Sequence, residues 1–156
     1  MRIYQFTAIQ PPAVTARLIR ASAGADTTVV LDLEDSLWDV DDEARTAQLK
    51  AAGRVALTDL ARSHANLFAG RPIGVRINRV SGPEAALDID ALAQASRTVT
   101  FDCIVTTKVE TAVEITTTLA RLRGREWPSA RSSPSWRRAA ASRPWTRSRR
   151  RPGTPA

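Results

Sequence analysis

Three short apolar runs of this chain each end in charged or amide residues: Val29–Asp35 (VVLDLED), Ile73–Asn78 (IGVRIN) and Cys103–Glu110 (CIVTTKVE). Brief, nearly continuous apolar runs rich in Val and Ile read as strands covered on both faces, which is the pattern of a parallel sheet. In parallel α/β folds the reacting groups sit at the carboxyl ends of the strands, where the βα loops begin, while the layer below is packed side chains. The three endings therefore outline an active-site rim.

The intervening segments fit that layout. Arg2–Phe6 is a further strand candidate, and after Pro11 and Pro12 the residues Val14, Leu18 and Ile19 fall at helical spacing, with Gly24 as a stop. Thr27–Leu33 completes the first βαβ unit. Asp39–Arg62 is rich in Ala, Leu, Glu, Lys and Arg and reads as one long helix, or two if Gly53 bends or splits it, with its acids at the start favouring the helix dipole. Ile73–Ile77 is the third strand. Ser81-Gly82-Pro83-Glu84 then supplies a cap, a first-turn proline and a first-turn acid for a helix whose buried face is Leu87, Leu92 and their alanine neighbours. Thr98–Thr107 contains the fourth strand, and Thr111–Arg123 the fourth helix, ending at Gly124. The expected fold is α/β: a partial (β/α)8 TIM barrel of about four βα units, since a complete one takes about 250 residues. A flavodoxin-like sheet would accommodate the same units.

The formal net charge of +7 would suggest nucleic acid, but it is unevenly divided. Residues 121–156 hold eleven Arg and one acid, Glu126; residues 1–120 hold 12 basic and 15 acidic groups, a net −3. Domain organisation follows that division, with a folded unit over 1–123 and an Arg/Pro/Trp-rich tail over 124–156 that by composition is disordered. Trp127, Trp136 and Trp145 are evenly spaced in the tail, a weak repeat. A single Cys, Cys103, rules out an internal disulfide and suits a reducing compartment. With no signal-like or membrane-spanning apolar run, the expectation is a cytoplasmic protein without membrane contact. The lone His64 has no partner at catalytic spacing, and Gly70, Gly74 and Gly82 are too far apart for a phosphate loop.

The candidate site is drawn from the strand ends. Glu34 and Asp35 leave the second strand, Arg76 and Asn78 the third, Lys108 and Glu110 the fourth. Residues i and i+2 share a strand face, so Arg76 and Asn78 point together, as do Lys108 and Glu110 if the strand extends that far. A guanidinium binds a carboxylate bidentately, and neighbouring acids orient it or hold a divalent cation through water. Such a rim suits a small oxo- or hydroxy-acid; the plainer reading is a set of loop residues that cap helices and pair with each other.

LDLEDS, an Ala44-Arg45 pair in the next helix, VRIN, a downstream Asp88 or Asp90, and KVE after a strand form an ordered set. Residues 1–123 thereby resemble the citrate lyase β-subunit group of the HpcH/HpaI aldolases. The resemblance implies a (β/α)8 barrel that uses Mg2+ to cleave or form the carbon-carbon bond of a 3-hydroxy acid or its CoA thioester, in a homo-oligomer. It implies catalytic roles for Glu34, Asp35, Arg76 and Glu110, and substrate binding by Arg76, Asn78 and Lys108. The chain departs from the family pattern at Thr107, where a proline is usual, and in its N-terminal strand, which lacks an Arg-Ser opening that bears on CoA contacts. The family's direct Mg2+ ligands are a Glu on the fifth strand, in a pattern like LIETxxG, and an Asp on the sixth. Neither pattern occurs here, so the expected activity is impaired and no metal ligand is assigned.

An Arg-, Ser-, Pro-, Ala- and Trp-rich tail is also what GC-rich coding DNA yields when translated out of frame. For a permitted choice of codons from Ala130, a shifted frame reads ALIALVETRRGVAAVDAIAAAPG, which resembles the missing fifth strand and helix. The tail is thus expected to be frameshifted and non-homologous. The alternative is a small α/β binding domain with a genuine basic tail that binds RNA, DNA or anionic lipid, its Trp side chains stacking on bases.

Overall fold

A computed structural model describes residues 3–22, 24 and 26–124. The tail from Arg125 to Ala156, with its three Trp residues and the expectations of disorder, frameshift and nucleic-acid binding, lies outside the described residues, as does Arg2.

Four parallel strands make one sheet: β1 (Ile3–Ala8), β2 (Thr27–Asp32), β3 (Ile73–Ile77) and β4 (Cys103–Thr106). Their order across the sheet is their order in the chain, β1-β2-β3-β4. A flavodoxin-like sheet would put β1 between β2 and β3. Here β2 holds that place. Each crossover runs to the adjacent strand, and the helices between them collect on one face. That face is the core: Leu31, Leu33, Val75 and Ile77 of the β2 and β3 runs pack with Ile19 of α1 (Pro12–Ala21), Leu57 and Leu60 of α2 (Glu43–Ser63), and Ile89 and Leu92 of α4 (Glu84–Ala95). A short α3 (Asn66–Gly70) adds Phe68, whose ring meets Phe101 edge-on at 5.5 Å.

The opposite face carries the polar groups. β2 pairs with β3 so that Asp32 stands opposite Arg76, and a side chain built at Gly74 would meet Val30 and Cys103, which places all five residues on this second face. At the β1 edge it is uncovered, and Tyr4 and Phe6 are about half exposed. Among the described residues the sheet thus has two open edges, β1 and β4, and one layer of helices.

Local chemistry explains the element boundaries and corrects several expectations. Pro12 opens α1 at the position where a missing N–H costs nothing. α2 begins at Glu43, capped by Asp42, whose Oδ1 accepts from the Arg45 N–H at 2.8 Å. It runs unbroken through Gly53. That glycine is buried because a Cβ there would lie 2.5 Å from Leu37 Cδ1 and 3.1 Å from Ile9 Cγ2, so its role is close packing of α2 rather than a bend. Ser81 does not cap α4; the helix starts after Pro83, which is itself in helical conformation. Leu87 is half exposed, and the buried face of α4 is Ala85, Asp88, Ile89, Ala91, Leu92 and Ala95. α5 (Ala112–Arg123) opens with a reciprocal capping box between Thr111 and Glu114.

Candidate functional site

The β2 run ends in a buried acid, then a buried acid, then an exposed one. Asp32 is 2% exposed and Glu34 4%, whereas Asp35 lies in a single 3-10 turn, Asp35–Leu37, and faces out. The Asp32 carboxylate organises that turn by accepting from the Glu34 N–H at 2.9 Å and the Ser36 N–H at 3.0 Å. Its main partner is Arg76 on the neighbouring strand: Nε donates to Oδ1 at 2.8 Å and Nη2 to Oδ2 at 2.6 Å. Burial alone would push the Asp32 carboxyl up; the guanidinium and the two backbone N–H groups outweigh it and hold the pKa below its ordinary value.

Arg76 is fixed on every side. Its hydrogen bonds to Asp32 push its own pKa up, and Nη1 reaches Asp35 Oδ2 at 3.2 Å. Its guanidinium lies over the Phe6 ring at 4.9 Å. A guanidinium has five N–H donors, and three of them are taken by Asp32 and Asp35, with Glu34 Oε2 a further neighbour at 3.5 Å from Nη1. Lys108 completes the cluster. Its Nζ stands 2.8 Å from Glu34 Oε1 and 3.3 Å from Asp35 Oδ1, and these bonds raise its pKa. Lys108 reaches there from a backbone with φ of 51°, a left-handed conformation that costs a non-glycine residue about 1 kcal/mol or more. Glu34 Oε2 is buried without a hydrogen bond, 3.5 Å from Arg76 Nη1.

Two sequence-expected site residues do not join Arg76 and Lys108: Asn78, which lines the same cavity as Glu34, Asp35 and Lys108, and Glu110, which does not line it. Asn78 follows β3, and its amide is fully committed: Nδ2 donates to Leu33 O and Asp88 Oδ2, both at 2.8 Å, and Oδ1 accepts from Lys50 Nζ at 2.6 Å. It braces the β3–α4 connection and does not point with Arg76. Glu110 does not join Lys108, because the β4 ladder stops at Thr106 and the condition for a shared face is not met. It is exposed, 2.7 Å from Arg79.

The structure adds two residues that the sequence did not single out, Asp32 and Lys50, and gives a place to Asp88, which the ordered set of motifs already included. Asp32 is central, Lys50 comes from α2, and Asp88 is fully buried where it holds both the Asn78 amide and Arg54 Nε. Arg54 also pairs with Glu84, so α2 and α4 are tied together beneath the rim. Above these groups opens a cavity of about 310 Å3 whose charged lining includes Glu34, Asp35, Lys50, Arg79 and Lys108, with Trp38 at its edge. Arg76 is behind that lining, one contact away through Asp35.

A Mg2+ ion needs several oxygens free to converge on one point. Among the described residues no group of three or more His, Cys, Asp or Glu is arranged to hold a metal ion. Both Asp32 oxygens are taken by Arg76, and Glu34 Oε1 by Lys108. The described carboxylates therefore do not fit a direct Mg2+ site. Their arrangement instead sets three acids, Glu34, Asp35 and Glu84, beside three cations, Lys50, Arg79 and Lys108, around one concave rim. Among the described residues no helix is long and apolar enough to cross a membrane. Comparison with protein-family models and with curated proteins finds no match for this chain.

Proposed function

We propose that residues 1–123 are four βα units of a (β/α)8 barrel of the citrate lyase β-subunit-like kind, and that their rim binds the carboxylate of a small oxo- or hydroxy-acid or of its CoA thioester. The observation that carries this reading is the convergence, from three successive parallel strands, of Glu34 and Asp35, Arg76, and Lys108 at one end of the sheet. The consecutive strand order supports it too, because a (β/α)8 barrel is built by that order.

In this reading Asp32 holds the Arg76 guanidinium in plane, and Arg76 in turn holds Asp35 at the cavity wall, where a ligand carboxylate meets the lysines. Lys108 and Lys50 supply the positive charge from the two sides of the cavity. Asn78 and Asp88 keep the β3–α4 connection in place. Carbon-carbon bond cleavage needs charge stabilisation that these residues do not complete, since the described carboxylates fit no direct metal site. On this reading the described residues form a carboxylate-binding rim, and little or no lyase turnover is expected of the chain.

The test has two readouts. Calorimetric titration with a small oxo-dicarboxylate is expected to give weak binding, in a range around 1 mM, that Lys108→Ala weakens. Absence of binding at about ten times that concentration overturns the carboxylate rim. Incubation of the 156-residue chain with malyl-CoA or citramalyl-CoA and Mg2+ is expected to give no product. Turnover in the ordinary enzymatic range, about 1 s−1 or more, overturns the assignment of impaired activity.

A further inference from the structure

The two open edges of the sheet carry matching apolar strips. α5 buries only Thr118 fully, with Leu122 partly packed on the core, so it is the least supported of the long helices. Its Arg121 donates to Val80 O, and Thr117 and Arg121 line the groove toward the loop before α4. Helical geometry then turns Leu119, and Ile115 one turn before it, toward the side away from α4. Both are about half exposed. At the other end of the sheet, Val14 and Leu18 form a similar i, i+4 pair on α1, exposed beside its buried residues Thr15 and Ile19. Tyr4 and Phe6 on β1 are exposed at the same edge of the sheet, on its polar face.

We propose that a second copy of this chain covers both strips at once, with β4 of each copy extending the sheet at β1 of the other. All four strands are parallel, so a two-fold axis along the strand direction leaves them parallel after pairing. Each copy then offers one β1 edge and one β4 edge, and both are satisfied. The four described strands of each copy together make eight, the number at which side chains just fill a closed barrel. In such a ring the helix after β4 lies over the next strand, which puts α5 of one copy beside α1 of the other and Ile115 and Leu119 against Val14 and Leu18.

The area fits the same occupant. The exposed parts of Tyr4, Phe6, Val14, Leu18, Ile115 and Leu119 sum to roughly 500 Å2 per copy, and the strand edges add to this, against about 800 Å2 per partner in a stable interface. The closed arrangement also removes both open edges, which otherwise template uncontrolled pairing. The inference rests on the sheet and its edges, and it stands whether or not the rim belongs to a lyase.

The test uses the full 156-residue chain in sedimentation velocity and in cross-linking. The wild-type chain is expected to sediment as a dimer at micromolar concentration, and Leu119→Asp as a monomer with an unchanged far-UV spectrum. Should Leu119→Asp misfold, cross-linking decides alone. Leu18→Cys and Leu119→Cys chains, each carrying Cys103→Ser, are treated with a short bis-maleimide. Each alone is expected to stay uncross-linked, while their mixture forms a covalent dimer, because Leu18 of one copy meets Leu119 of the other. A monomeric wild-type chain, a dimer in which the mixture does not cross-link, or cross-linking within one variant alone overturns the proposal. The last two results would place a dimer interface elsewhere, and a monomer would leave the edges to residues 125–156 or to another protein.

Discussion

Arg76 and Asp32 face each other across adjacent strands as a two-pronged ion pair, Nε to Oδ1 at 2.8 Å and Nη2 to Oδ2 at 2.6 Å, with the acid almost fully buried. Removing one partner of such a pair strands the other. Asp32→Asn leaves a largely buried guanidinium with one acceptor in place of two, and disturbs the 3-10 turn whose N–H groups Asp32 also receives. The expected loss is about 2–4 kcal/mol in urea unfolding. Replacing both, as Asp32→Asn with Arg76→Gln, is expected to cost less than the sum of the two single changes. Strict additivity would show that the pair is not coupled.

The same carboxylate sets an acid limit. Its pKa in the native chain lies below the ordinary 3.8, so the unfolded state takes up the proton first as the pH falls. The contribution of the pair is therefore complete above about pH 4 and is lost progressively as the pH drops through the lowered native value. Arg76 and Lys108 are shifted upward and stay charged throughout this range. Stability measured from pH 6 to pH 2 is expected to fall more steeply for the wild-type chain than for Asp32→Asn. Parallel curves would remove Asp32 from the account.

Gly74 packs tightly against Cys103 of β4 on the polar face. A Cβ there would overlap Cys103 Sγ and lie 3.0 Å from the Cys103 carbonyl oxygen. The sulfur can rotate, but the backbone oxygen belongs to the ladder. Gly74→Ala is expected to destabilise by about 1–3 kcal/mol despite the gain that alanine usually brings by restricting the unfolded chain. Gly70→Ala is the control, since nothing lies within 4 Å of its added carbon, and its effect on the midpoint of unfolding should be much smaller.

The strand ends were legible because their signal is local: a short β-branched run stopped by charge. Glu34, Asp35, Arg76 and Lys108 do meet, since parallel neighbours finish at the same edge of a sheet. Asp32 escaped notice because it sits inside the run, where an acid between two leucines looks like an interruption, and its meaning depends on a partner 44 residues away. Glu110 was misplaced for a related reason. The pattern could not show that the ladder ends at Thr106, and two residues without a strand no longer share a face. Lys50 and Arg79 reach the rim from a helix surface and a loop, where composition carries no positional signal. Gly53 shows the limit of propensity, because its reason is the approach of Leu37 and Ile9 across the core rather than anything in its own helix.

Lys108 combines a strained backbone with a partnered side chain, and two substitutions separate the effects. Its φ of 51° suits glycine, while Nζ joins Glu34 and Asp35. Lys108→Ala removes the ion pairs and keeps the strain. Lys108→Gly removes both, although glycine returns part of the gain through a more flexible unfolded chain. Both variants leave Glu34 Oε1 without its cation, so that loss cancels in the comparison. Lys108→Gly is therefore expected to be the more stable of the two by about 1 kcal/mol in urea unfolding, the cost of a left-handed non-glycine residue. Equal stability would mean that the backbone there is held without strain, and that Lys108 occupies its place over Glu34 through local loop geometry alone.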